Sequence, residues 1–239
     1  MFKHSITRQR GFTLVEISIV LVVIGLLLGG VLKGQELITS ARVRSLADQN
    51  AAVQAAYYGF IDRYRQVPGD WSATAAAQVI PGVTTGGNGN GRLDASNGSE
   101  WSEPLAVWEQ LSRSGFIHGG FVGGSSAPTL GDATLAPRNP YNGFVMLART
   151  RDYLDPSGNP PERLNFSFGR GIPVSVLREL DLKIDDGLPQ TGAMRAATTV
   201  PGTLGEIARS SAQCVDTSVS PPVWDMAANV QDCSAVYLY

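Results

Sequence analysis

Between residues 12 and 32 the chain is one apolar block: fifteen large apolar residues and three Gly, interrupted only by Thr13, Glu16 and Ser18. At roughly 1.5 Å per residue such a helix reaches roughly 31 Å, the thickness of a bilayer's hydrocarbon core. The pattern therefore predicts a transmembrane helix over 12–32. Fifteen apolar side chains at about −0.3 to −0.6 kcal/mol each outweigh one acid, and Glu16 lies near the end of the block, where its cost falls. A carboxylate inside an apolar span is expensive enough to call for a function and a partner.

Past Leu32 the period changes. Pro is absent until Pro68, and Leu46, Val53, Tyr57, Phe60 and Tyr64 recur at spacings of seven, four, three and four. They form one apolar stripe on an amphipathic half-helix, 33–67. A single helix from Phe12 to about Gln66 would be about 80 Å long. The alternative is two helices hinged at Gly25, Gly29, Gly30 and Gly34, each of which costs up to about 1 kcal/mol of helix relative to Ala. Pro68-Gly69-Asp70 closes the helix. Trp71 just after it fits a core plug better than a ligand contact.

Residues 68–239 read as an α+β domain. A short helix is predicted over 103–111, with Pro104 in its first turn, Leu105, Trp108 and Leu111 on one face and Gly115 as its stop. The run 141–147 is β-prone, 164–168 alternates as a strand should, and 235–239 looks like a closing strand. Core or edge packing is the simpler role for Tyr237 and Tyr239, surface contact the alternative. The apolar positions of 174–184 fit either period, and Asp185-Asp186-Gly187 then ends that segment as a turn.

Charge changes the picture at the amino terminus. Residues 1–11 carry Lys3, Arg8 and Arg10 and no acid, so the positive-inside rule leaves them in the cytoplasm and sends everything after Leu32 across the membrane. An ordinary cleaved signal peptide fits poorly, because the apolar run exceeds the usual 7 to about 15 residues and no A-x-A-like site follows it. From Phe12 onward 16 basic residues face 21 acidic ones, a net of −5. Arg149, Arg151, Arg163 and Arg170 make a local basic excess, but the overall balance argues against a nucleic-acid partner.

The residues Arg10-Gly11-Phe12-Thr13-Leu14-Val15-Glu16 combine a short basic leader ending in Gly, an aromatic residue, a Glu five positions past the Gly and an uninterrupted apolar helix. This resembles the cleavage and methylation signature of type IV prepilins and type II secretion pseudopilins. The resemblance implies removal of the leader 1–11 between Gly11 and Phe12 by a membrane prepilin peptidase, which also methylates the new amino terminus at Phe12. It implies a pilin fold, with the long helix packed on a C-terminal antiparallel sheet. Glu16 would pair with the amino terminus of a neighbouring subunit, turning the cost of a buried charge into a device that sets register. Implied partners are other pilins or pseudopilins in a homo- or hetero-filament, the peptidase and an inner-membrane assembly platform. The chain would be a single-pass inner-membrane protein with a periplasmic domain before assembly and would lie in a pilus or pseudopilus afterwards. Many pilins have Pro where this chain has Lys33, so the Gly cluster would supply the local softness instead. The Pro-Gly-Asp turn, the Gly-Asn-Gly-Asn-Gly loop and the stretch 183–192 are similar to a subset of minor pilins.

Little else carries chemistry. The loop 86–94 invites a calcium reading with Asn88, Asn90 and Asp94 as ligands, but Gly86 stands where an acid is wanted first and Asn97 where a bidentate Glu is wanted last. A flexible Gly/Asn turn is the competing reading, and no cofactor is required. Asp181, Asp185 and Asp186 offer a second acidic group, with solvated turn chemistry as its simpler account. Cys214 and Cys233 are the two cysteines, both in the exported part, and are expected to form a disulfide. The loop they close resembles the one bounding the variable region of many pilins. With one His after the leader, paired cysteines and no G-x-S-x-G, nothing holds a nucleophile or general base, so an enzyme is not expected. The functional expectation is a structural subunit of a type IV pilus-like filament. A type II secretion pseudopilin is the alternative, and a tip adhesin or DNA-binding minor pilin comes third.

Overall fold

The computed structural model of the chain describes residues 12–95, 101–129 and 131–239. Gly11 and Asn97 lie outside the described residues. Helix α1, Leu14–Tyr64, runs without a break through all four glycines of the suspected hinge. A Cβ built on Gly25, Gly29, Gly30 or Gly34 would meet nothing within 4 Å. By contact density the chain divides into two compact units, up to Ala41 and from Arg42 onward.

In the second unit, α1 buries Val43, Leu46, Asn50, Val53, Ala56, Tyr57 and Phe60. The stripe read from sequence thus extends back to Val43 and includes an Asn at one of its seam positions. Tyr64, half-buried, closes it and stacks near Phe60 and Trp71, with ring centroids 4.7 and 5.8 Å away. Trp71 packs at the edge of the core, as expected of a plug. Arg65 ends the helix with φ +56, and Gly69 follows at φ +89, where a Cβ would strike Leu93 and the Glu103 carbonyl.

Helix α2, Ala73–Val79, has no counterpart in the sequence reading. Helix α3, Ser102–Arg113, contains the expected 103–111 segment and ends before Gly115 at φ +81. Leu105, Trp108 and Leu111 are fully buried, and so are Glu109 and Gln110.

Strands β1, Met146–Thr150, and β2, Arg163–Ser167, pair antiparallel. The β-prone run 141–147 enters the sheet only at Met146. Before that, the Asn139 carboxamide oxygen accepts the N–H groups of Tyr141 and Gly143, and Asn142 takes φ +69, which makes a turn. The ambiguous segment 174–184 is a helix, α4, Val174–Ile184, because its helical period buries Val174, Val176, Leu177 and Leu180 together. Then come β3, Met194–Ala196, a 3₁₀ turn at Ala212–Cys214, a short hairpin of β4, Val215–Asp216, and β5, Val223–Trp224, and finally β6, Ala235–Leu238. The main sheet has the order β1-β2-β6-β3, so the closing strand lies inside it, antiparallel to β2 and β3.

Cys214 and Cys233 are disulfide-bonded and fully buried. In the chain-entropy model a loop of this size removes roughly 3 kcal/mol of unfolded-state freedom. One core joins α1, α3, α4 and the sheet through Phe60, Trp108, Leu147, Phe166 and Leu177. The long apolar helix and the C-terminal antiparallel sheet make the α+β arrangement expected.

Candidate functional site

The first candidate is the amino-terminal part of α1. Phe12 is 82% exposed and Leu14 88%, and every large apolar side chain from there to Leu32 is exposed as well. Water is no place for such a surface, and the helix is long and apolar enough to cross a membrane. At its start Glu16 is not alone. Its Oε2 accepts the Thr13 N–H and the Thr13 hydroxyl, each at 2.8 Å, while its own N–H donates to Thr13 Oγ1 at 3.2 Å. This is a capping box, with Thr13 at the N-cap and Glu16 three residues on. The T-x-x-E spacing of a capping box stands in the sequence itself, beside the charge of Glu16.

The second candidate is the loop 86–94. Asp70, a buried residue just after Pro68-Gly69, accepts the N–H groups of Gly89, Asn90 and Gly91 at 2.8, 3.0 and 2.7 Å. Glu103 of α3 accepts those of Asn88 and Asp94 at 3.1 and 2.8 Å. Burial raises the Glu103 pKa, the two N–H groups oppose it, and the charges of Asp70 and Asp94 add to it. Six residues further along α3, Glu109 holds Thr84 and Thr85 by backbone and hydroxyl, and Gln110 bridges Gly69, Trp71 and Thr85. Asn88, Asn90 and Asp94 do come together. Asn88 Oδ1 accepts the Asn90 N–H, Asn90 Oδ1 the Arg92 N–H, and Asn90 donates to Asp94 at 2.9 Å. Arg92 also pairs with Asp94 and with Glu162. Gly86, at the position where a calcium loop wants an acid, lies so close to the chain that a Cβ would be 2.1 Å from the Trp71 carbonyl oxygen.

A third cluster lies at the carboxyl end of α4, where ligand atoms of Asp181, Asp185 and Asp186 all fall within 4.8 Å of one another. Asp181 is fully buried, and its Oδ2 accepts the indole N–H of Trp224 at 2.7 Å. Burial pushes its carboxyl pKa up to about 6 against the help of Trp224 and the nearby Gly187 N–H, with the charges of Asp186 and Asp185 adding to the rise. Trp224 belongs to the disulfide-closed loop, a relationship that nothing in the sequence announces.

Two of the four arginines of the basic excess are engaged in ion pairs. Arg149 meets Glu162 at 3.4 Å, and Arg170 pairs with Asp232 and, at 2.9 Å, with Glu206. Among known families, the Prokaryotic N-terminal methylation motif matches residues 6–32. No curated protein matches the chain.

Proposed function

We propose, from the premise that this chain carries the prepilin-type signature of type IV pilins and pseudopilins, that it is a structural subunit of a type IV pilus-like filament. Its work is assembly rather than catalysis. Prepilin peptidase removes residues 1–11 between Gly11 and Phe12 and methylates Phe12. The apolar half-helix anchors the chain in the inner membrane with its domain in the periplasm, and an assembly platform then draws it into a filament with other pilins. The observation that supports this most is the coincidence of the motif at 6–32 with an α1 surface whose large apolar side chains are all exposed up to Leu32. Side chains needing neither water nor intrachain partners suit first a bilayer and then a bundle of like helices. The open space at Gly25, Gly29, Gly30 and Gly34 suits close helix approach. Mass spectrometry of the mature protein tests the reading: a methylated amino terminus at Phe12 is expected, and any other terminus overturns it. A type II secretion pseudopilus is the alternative setting, and shares this test.

Calcium at the loop 86–94, with Asn88, Asn90 and Asp94 as ligands, is a second proposal. Asp70 favours it. Its carboxylate receives the N–H groups of three consecutive loop residues and sits beside the loop from a distant turn, so it can supply the acid that Gly86 lacks. Calcium-dependent thermal stabilisation that is lost on Asn90→Ala would support the proposal, and stabilisation unchanged by that substitution would sink it.

A further inference from the structure

We propose that Asp181, Asp185 and Asp186 form a separate binding site for a hard divalent cation, calcium, at the carboxyl end of α4. Their ligand atoms lie within 4.8 Å of one another, a separation that one ion with oxygen ligands at about 2.3 to 2.6 Å can bridge. A cluster of acids alone would mean little. What sets this one apart is Asp181. It has no exposed surface, and while Oδ2 is taken by Trp224 and the Gly187 N–H lies near the carboxyl, Oδ1 has no hydrogen-bond partner among the described residues. A buried carboxylate oxygen without a partner is costly, and burial of a charge is tolerated when a counter-charge or metal meets it. Among the described residues no ion pair reaches any of the three acids.

The other two carboxylates are held in place by the chain around them. The Asp185 N–H closes α4 on the Asp181 carbonyl at 2.7 Å, and Asp185 Oδ2 accepts the Met194 N–H at 2.7 Å. Gly192 passes so near that a Cβ there would lie 2.0 Å from Asp185 Oδ2. Asp186 accepts the Leu188 N–H at 2.9 Å and the Thr191 hydroxyl at 2.5 Å. Each oxygen so engaged keeps a further lone pair for an ion. Burial falls from Asp181 through Asp185 to Asp186, which is exposed, so the outer side is open for the waters that complete a calcium shell. The all-oxygen ligand set selects a hard cation over a thiophilic or imidazole-seeking one. Through the Trp224–Asp181 bond the ion would tie α4 and its turn to the disulfide-closed loop.

The experiment uses the full chain in detergent micelles, stripped of metal, with Asn88, Asn90 and Asp94 replaced by Ala so that the other loop cannot respond. Calorimetric titration with calcium chloride reads affinity, and terbium serves as a luminescent calcium substitute excited through tryptophan. Calcium binding is expected, with terbium luminescence that calcium displaces and that Trp224→Phe largely removes. Asp181→Asn is expected to weaken calcium binding about tenfold or more, through loss of one ligand charge. Asp186→Asn, in an exposed turn where the amide keeps an oxygen that can accept the Leu188 N–H, should weaken it too and covers the case of an Asp181 variant that fails to fold. Absence of binding in the loop-substituted chain overturns the proposal. So does an affinity that neither Asp substitution changes.

Discussion

The phenol of Tyr239 donates a hydrogen bond to Oδ1 of Asn50 at 2.8 Å, across 189 positions of sequence. Asn50 occupies a seam position of α1 between Leu46 and Val53 and is buried there. Tyr239 follows β6, and its burial, reinforced by Tyr58 and Tyr237, raises its hydroxyl pKa far above the usual phenol range. This one bond fastens the inner strand of the sheet to the long helix.

Removing one partner strands the other. Tyr239→Phe should destabilise the domain by about 1–3 kcal/mol, because a buried amide oxygen loses its donor. The double variant Tyr239→Phe with Asn50→Leu should recover part of that loss, since an apolar pair needs no hydrogen bond. Urea unfolding of the four proteins of this cycle in micelles measures the coupling. A double variant that is the sum of the two singles would show that the bond contributes nothing.

Asp70 acts as an anchor for backbone rather than for side chains. Asp70→Ala leaves the N–H groups of Gly89, Asn90 and Gly91 without their acceptor. Water can reach this exposed loop, so the expected cost is about 1–3 kcal/mol rather than the full loss of three charge-assisted bonds. Amide hydrogen exchange should accelerate at 89–91 while the α3 core, Leu105 to Leu111, stays protected. Unchanged exchange in the loop would refute the anchoring role.

Asp155 predicts an acid limb. Its carboxyl pKa is depressed from 3.8 to about 2, first by the Ser157 hydroxyl and N–H, then by Arg195. A folded-state pKa below the unfolded value means that the stabilisation is fully present above about pH 4 and is lost as the pH falls through about 2. Asp155→Asn should therefore flatten the fall in melting temperature over that window and lower stability at neutral pH. Superimposable pH profiles for variant and wild type would contradict this.

How much of this was legible beforehand depended on the range of the interaction. The α1 stripe, α3, β2, β6 and the cysteine pair rest on local period or composition, and each was readable from the residues themselves. Helix α2 was missed because Ala73–Val79 is mostly small residues and only Ala76 is buried, so no stripe marks it. Strand β3 is three residues long, too short for alternation to show. The 174–184 segment carried both periods, and only packing of Leu177 and Leu180 into the core decided for helix. At the candidate sites the acids were visible but their partners were not. Asp70 reaches 19 to 21 positions ahead, and Trp224 reaches 43 positions back to Asp181. Such pairings are made by the fold, and spacing cannot announce them.

In the proposed filament Glu16 would serve two demands, capping and charge pairing, that substitution can separate. Within the chain both bonds that its carboxylate accepts from Thr13 fall on Oε2, so Oε1 can still turn to the methylated amino terminus of a neighbour in the proposed filament. Thr13→Ala removes the hydroxyl cap and keeps the charge. It should loosen the first turn at a cost of about 1 kcal/mol and leave filament yield near normal. Glu16→Gln keeps an oxygen that can accept the Thr13 N–H but removes the charge. It should enter the membrane normally, because a neutral side chain inserts more easily, yet fail to assemble, because nothing then offsets the neighbour's ammonium. Immunoblots of membrane and sheared-filament fractions read both quantities. Normal filament yield from Glu16→Gln would exclude the charge pairing, and an equal defect in Thr13→Ala would assign the role of Glu16 to capping alone.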